Sequence, residues 1–317
     1  MTINFDKNYW ALVLGGSSGF GLATAQKLAR HGMSIAVVHR DRRGAMGPIE
    51  EGFEKIRATG VGFLAVNCDA LSADGRKGAI DALAERMGGE GRVRLLMHSI
   101  AYGNLKPIAP VATKHTEATG NARARLAEKL GITKVALEQA IAGIVAEGQG
   151  DELAHLVDPP KYDEGALLDD EDFARTVYSM GTSLATWTQD VFTRRLFAAD
   201  ARVVGMTSEG NEVAWRGYAA VSAAKVALES ISRTIATELA PYGVRSNIVQ
   251  AGVTDTPALR LIPGSERMKA EARLRNPFGR LTTPQDVGDF ICLLCTDEAR
   301  WVNGALIRVD GGERISG

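Results

Sequence analysis

The chain has three cysteines among 317 residues, Cys68, Cys292 and Cys295, too few for a disulfide framework. Cys292 and Cys295 form a CxxC. No second CxxC or histidine pair accompanies it, which argues against a zinc site. The surrounding DVGDFICLLCTDEARW has the spacing of an amphipathic helix with both sulfurs on its apolar side, so the pair reads as core packing. No run of about 18 apolar residues is present, which excludes a transmembrane helix. The opening MTINFDKNYW lacks the charged-then-apolar pattern of a signal peptide. With the cysteine usage, this predicts a reducing, cytoplasmic setting. The net charge is only −1, so a nucleic-acid partner recognised through phosphate contacts is not expected. What remains is an ordinary globular balance, 45% hydrophobic and 24% charged, with 35 glycines.

Apolar strand candidates alternate with helix-period segments. Trp10–Leu14, Ser34–His39, Gly62–Asn67 and Val93–His98 read as strands; Leu22–His31, Pro48–Ala58 and Gly75–Met87 read as helices. The rhythm resumes with a long helix at Asp172–Phe197, a strand at Ala201–Met206, a helix at Tyr218–Leu239, a strand at Val244–Val249, a helix at Pro284–Cys295 and a strand at Ala305–Val309. Such alternation predicts a Rossmann-like, doubly wound α/β fold: a parallel sheet with helices on both faces, in one domain over residues 1–317. Residues 104–170 have a different texture and read as a helical insertion after the fourth strand. Asn121–Leu130 and Lys134–Glu147 are helix-like, Thr133 is a candidate cap, Gly148–Gly150 a stop and Pro159–Pro160 a loop. Leu126, Leu130, Val135, Leu137, Ile141 and Ile144 offer an apolar face to the body. The insertion is either surface decoration or a wall over a pocket, because ligands bind at the carboxyl ends of parallel strands.

Between the first strand and first helix lies LGGSSGFGLA, in which Gly15, Gly19 and Gly21 flank Ser17, Ser18 and Phe20. A backbone that turns tightly and lets a pyrophosphate approach needs glycine, and the helix start beyond supplies free N–H groups and partial positive charge. At the head of a βαβ unit this loop predicts a dinucleotide site. The second strand runs into His39-Arg40-Asp41-Arg42-Arg43. Arginine at this place accommodates a ribose 2′-phosphate, whereas an acid would hold ribose hydroxyls. Arg40 therefore favours NADPH over NADH, with Asp41 as the alternative ribose ligand.

With these motifs the chain resembles the short-chain dehydrogenase/reductase superfamily over nearly everything but the insertion; the ending WVNGALIRVDGG and the segment NCDAL fit the same pattern. Ordinary members place the active-site tyrosine four residues before the lysine. Here YAAVSAAK sets Tyr218 seven before Lys225, and Val221 stands four before it. That spacing, MHSIAYG at 97–103 and AGVTDT at 251–256 are similar to the enoyl-[acyl-carrier-protein] reductase branch. The resemblance implies that Asp69 and Ala70 flank the adenine and that Ser99, Ile100 and Ala101 line the nicotinamide-ribose side. It places Phe20 near the pyrophosphate and Val253, Thr254 and Thr256 over the carboxamide and phosphates. Lys225 would hold the ribose hydroxyls. It also implies a dimer or tetramer assembled through the helices near 172–197 and 218–239. A further tyrosine usual in that branch is replaced by Ser208, so Tyr102 or Tyr178 becomes a candidate substrate hydroxyl.

The expected reaction is NADPH-dependent reduction of an α,β-unsaturated acyl thioester, carried on CoA or acyl carrier protein. Tyr218 would stabilise and protonate the enolate, with its proton affinity lowered by the Lys225 ammonium. Arg123, Arg125, Lys129 and Lys134 of the insertion are candidate partners for the phosphates of the carrier arm. Two other readings stay open: a ketoreductase or alcohol dehydrogenase using Ser208 with Tyr218, and a catalytically silent NADPH-binding protein.

Overall fold

The computed structural model describes residues 3–110, 113–157, 162 and 166–316, with backbone only for 113–119. The first half contains β1 (Tyr9–Leu14), α1 (Gly19–Arg30), β2 (Ser34–His39), α2 (Met46–Arg57), β3 (Phe63–Asn67), α3 (Ala73–Met87) and β4 (Arg92–His98). The insertion carries α4 (Thr113–Leu130) and α5 (Lys134–Ala146). After it come α6 (Asp170–Val177), α7 (Ser183–Thr193), β5 (Phe197–Thr207), α8 (Ala219–Glu238) and β6 (Val244–Ala251). The chain then forms α9 (Pro257–Arg260), α10 (Ser265–Arg275), α11 (Pro284–Leu294) and β7 (Leu306–Val309). All strand pairs are parallel, in the order β3-β2-β1-β4-β5-β6-β7. The expected doubly wound fold is the one observed.

Each strand sends alternate residues to opposite faces, so the sheet has two cores. Ala11 and Val13 of β1 join Val37, Met97, Val204 and Val249 beneath α1, α2 and α11. Trp10, Leu12 and Leu14 join Val38, Leu96, Val203 and Ile248 beneath α3, α7 and α8. Burial on both faces explains why these strands read as apolar runs rather than as polar–apolar alternation. Cys292 and Cys295 belong to the first core, and burial pushes their thiols up to about 11 and about 12. Among the described residues no cluster could hold a metal ion, and no helix is long and apolar enough to cross a membrane.

The long helix expected at Asp172–Phe197 is broken. A π turn spans Tyr178–Thr182, and β5 has begun by Phe197. The turn brings Ser179 and Ser183 inward, where Ser183 Oγ lies 2.8 Å from His98 Nε2 and Ser179 Oγ donates to the Tyr102 carbonyl. A polar end to β4 thus costs the helix its regular ladder. Helices α9 and α10 were not legible, since PALR is a single turn and SERMKAEARLR shows no apolar stripe.

Within the insertion, α4 starts at Thr113, earlier than expected, and Thr133 caps α5 by accepting from the Ala136 amide at 3.1 Å. Gly148, at φ +72°, lies just beyond the helix end; Pro159–Pro160 lie outside the described residues. The buried face is Leu137, Ile141 and Val145 with Ala127 and Ala154, whereas Leu130, Val135 and Ile144 face outward. Asp172 closes the base of the insertion, accepting from Asn104 and Lys106, each at 2.6 Å.

At the opposite end of the sheet two arginines are interior. Arg94 on β4 and Arg202 on β5 are each 1% exposed. They donate to the last carbonyls of α11, Cys295 and Leu294, where a helix end presents unpaired acceptors. Asp200 pairs with Arg94 at 2.7 Å and with Arg202 and Arg245 at 2.5 Å. Burial alone would raise its carboxyl, but the three guanidiniums hold it below the usual carboxylate range. Asp200→Ala leaves the buried Arg202 without a carboxylate, while Arg94 keeps Asp297 at 2.9 Å, and is expected to lower unfolding stability by about 3 kcal/mol, measured by urea titration.

Candidate active site

The strand order reverses between β1 and β4, and a crevice opens outside their carboxyl ends. The β1–α1 loop and the segment after β4 meet there closely: a Cβ on Gly15, at φ +79°, would stand 2.5 Å from the Ser99 carbonyl oxygen. A Cβ on Gly21 would stand 2.3 Å from the Gly15 oxygen, so α1 presses directly onto its own loop. Gly19 differs. At φ +52°, its Cβ would meet only the Thr256 side chain, at 3.4 Å, with open space beside it. Ser18, the residue before α1, makes no side-chain cap, and the leading N–H groups of the helix are left for an anion. Two tight glycines and one open one make the cradle a pyrophosphate requires.

Further along this crevice Arg40 and Asp69 form an ion pair at 3.3 Å, and the Arg40 guanidinium lies 5.9 Å from the centre of the Tyr102 ring. Asp69 also accepts from the Leu71 amide, while the buried Ala70 offers its carbonyl to Trp187. The Asp41 carboxylate meets His39 Nδ1 at 2.8 Å and its backbone is bracketed by Asn67. The alternative ribose ligand is thus already engaged.

The catalytic candidates converge at the other end. Phe20, Ser99, Ile100, Ala101, Ser208, Tyr218, Lys225, Val253, Thr254 and Thr256 line one pocket. Lys225 lies inside α8, 7% exposed, and Nζ donates to the Met206 carbonyl at 2.8 Å. Burial pushes its ammonium down to about 8, partly offset by Glu229. Glu229, one turn on, accepts from Thr207 and Asn211, both at 2.7 Å, and so fixes the loop after β5. The same burial, with the charge on Lys225, brings His98 down to about 3, a neutral imidazole at physiological pH.

Tyr218 precedes the first turn of α8, and its hydroxyl lies 3.4 Å from Ser208 Oγ. Burial raises the phenol above its ordinary value; the Ser208 hydrogen bond opposes this and Glu209 adds to it. The lowering expected from Lys225 does not act on it; burial dominates, so the phenol is a proton donor rather than a phenolate. Its ring lies over Gly210, where a Cβ would meet Tyr218 Cε1 at 2.3 Å. Val221 packs with Met180 and Ala224 and lines the pocket one helical turn nearer Lys225.

Two expected substrate groups lie elsewhere. Tyr102 is 51% exposed and stacks beside Arg40. Tyr178 donates to the Leu71 carbonyl and accepts from Arg76, wedged between elements on the far side. It opens the π turn and is not among the residues lining the pocket. Arg123, expected to meet a phosphate, is 3% exposed and pairs with Glu138 inside the insertion. Sequence reasoning missed Leu105, Glu209, Trp215, Leu259, Ile262 and Met268, which complete the pocket. The signal was weak: they come from loops and short helices without periodicity.

A glycine cradle at the switch point of a parallel sheet, opposite a buried lysine and a tyrosine on one helix, defines a nicotinamide-dinucleotide-dependent oxidoreductase. Residues 9–122 match the short chain dehydrogenase family model, and residues 154–313 match the model described as Enoyl-(Acyl carrier protein) reductase. The chain belongs to the short-chain dehydrogenase/reductase superfamily, whose members bind NAD(P)H. It is 31% identical over 150 residues to the enoyl-[acyl-carrier-protein] reductase [NADH] of Aquifex aeolicus, a match covering 46% of this chain and 56% of that protein. It is 27% identical over 301 residues to a 3-oxoacyl-[acyl-carrier-protein] reductase of Mycobacterium bovis, covering 95% and 91%. The crystal structure of the Aquifex aeolicus enoyl-[acyl-carrier-protein] reductase (NADH) superposes with a TM-score of 0.69 at 23% identity, covering 100% of this chain and 99% of that one.

Proposed function

We propose that the protein reduces the carbon–carbon double bond of an α,β-unsaturated acyl thioester with NADPH. The observation that carries this reading is the place of Tyr218. It stands three positions before Val221, about one turn or 4.5 Å of helix rise. A ketone needs its proton donor beside the carbon that accepts hydride. A conjugated thioester needs it two carbons further on, at the thioester oxygen. Moving the phenol a turn away from Lys225, with Val221 and Met180 filling the vacated place, suits the longer substrate.

The bound reduced dinucleotide supplies the hydride. Tyr218 donates a hydrogen bond to the thioester oxygen, where negative charge grows as the enolate forms, and Ser208 Oγ is within reach of the same oxygen. An ammonium has three donors, of which Met206 takes one, leaving Lys225 able to grip ribose hydroxyls. Arg40, with Arg42 and Arg43 beside it, is the group for a 2′-phosphate, and the engagement of Asp41 by His39 supports NADPH. Relatives of the chain include both enoyl and 3-oxoacyl reductases of acyl-carrier-protein substrates, which supports an acyl thioester.

The second reading, reduction of a ketone or 3-oxoacyl thioester, draws on the Ser208–Tyr218 pair, since two hydroxyls on one oxygen suit a carbonyl whose carbon receives the hydride directly. NADPH consumption with an enoyl thioester, a 3-oxoacyl thioester and neither separates the two readings from a silent binder.

Tyr218→Phe is expected to lower kcat on the enoyl thioester by about 10²–10³-fold with little change in NADPH affinity. Ser208→Ala should cost less on that substrate; a larger loss from Ser208→Ala, confined to a 3-oxoacyl substrate, would overturn the assignment. Arg40→Glu should weaken NADPH by about tenfold or more while sparing NADH, read by fluorescence titration. Lys225 is charged below its pKa of about 8 and neutral above it. NADPH affinity should therefore fall as pH rises through about 8, above the range in which the 2′-phosphate itself protonates, about pH 6, and Lys225→Met should abolish this fall.

A further inference from the structure

One wall of the acyl pocket is built by Leu259, Ile262 and Met268, from α9, α10 and the link between them. Helix α10 has little apolar surface with which to hold itself in place. Of SERMKAEARLR, only Ser265, Lys269, Ala270 and Ala272 are buried, and Leu274 is 48% exposed. A helix this short is not stable through its own hydrogen bonds, so its position is decided by what its sides touch.

Most of those contacts belong to the insertion. Ala270 is seated in the insertion's core among Ala127, Leu137, Ile141, Val145 and Ala154. One turn on, Arg273 closes a two-pronged pair with Asp151, the first residue of the turn after α5: Nε to one carboxylate oxygen at 2.7 Å, Nη2 to the other at 2.6 Å. The side chains are only 21% and 14% exposed, so water competes weakly for them. At the end of α10, Arg275 reaches Glu209, the pocket residue beside Ser208, at 2.7 Å, and the buried Glu313 at 2.8 Å. Helix α10 is thus strung between the insertion and the loop carrying the catalytic serine candidate.

We propose that Asp151 and Arg273 are positioning residues: through this pair the insertion sets where Met268 stands and hence which acyl group the pocket accepts, without touching substrate. The identity of the substrate rests on the function proposed above; the clamp on α10 does not. The test uses the full chain with Asp151→Ala, Arg273→Ala and the exchanged pair Asp151→Arg/Arg273→Asp.

Each single substitution is expected to raise KM for the acyl thioester by about tenfold, with kcat changed by less than about twofold and NADPH affinity unaltered. The exchanged pair should recover most of the loss, which a merely destabilised fold would not do. Amide hydrogen exchange, measured without substrate, should quicken over residues 265–275 in the single variants and stay unchanged in β1 and β4. Unchanged KM on every acyl thioester tried, whatever the exchange rates, would overturn the proposal, as would an exchanged pair no better than either single variant. If the wild type turns over 3-oxoacyl rather than enoyl thioesters, the same KM shift on those substrates upholds the clamp while the enoyl reading falls.

Discussion

Burying the ammonium of Lys225 constrains everything around it. A cation out of water is tolerated only where fixed oxygen acceptors meet it, and here the Met206 carbonyl at the end of β5 does so. That hydrogen bond fixes α8 against β5, and with it the place of Tyr218 and the side of α8 that faces the crevice. The same buried charge helps keep His98 neutral, which suits that imidazole to its hydrogen bond with Ser183 in the broken helix opposite. Glu229, the acid one turn beyond Lys225, partly offsets the burial and organises the loop that bears Ser208 and Gly210. One electrostatic demand therefore links the end of the sheet, the helix start and the loop between them.

The pocket has two kinds of wall. On the cofactor side it is built by strand ends and glycine contacts, where the neighbouring backbones stand too close for a side chain at Gly15 or Gly21. On the acyl side it is built by α9 and α10, held by ion pairs and by the small core of the insertion. The first kind is rigid because packed backbone cannot yield. The second depends on a few charged contacts, and a wall of that sort can be changed without disturbing the sheet.

Much of this was legible in the chain. Apolar runs of strand length, separated by segments of helical period, led to the right sheet because burying both faces leaves no other economical arrangement. LGGSSGFGLA announced the cradle, since glycine is the residue that tolerates those contacts and angles. The Tyr218–Lys225 spacing survived because both residues ride on one helix, whose geometry is set locally. Tyr102 and Tyr178 did not survive. A π turn and a cation–π contact with Arg40 decide their directions, and neither is written in residue spacing. Arg123 was misread for a similar reason: a basic residue on an amphipathic helix looks solvent-facing until a partner such as Glu138 is folded over it.

The sequence by itself determined the strand and helix periods, the glycine loop and the order of the catalytic candidates along α8, all properties of residues within a few positions of one another. Tertiary structure alone decided that Ser208 reaches Tyr218, that Arg40 meets Asp69, and that the insertion grips α10 through Asp151 and Arg273. These pairs bring together groups from separate elements, in the last case 122 residues apart. Their formation depends on how whole layers pack, a balance of burial and charge that no local pattern records.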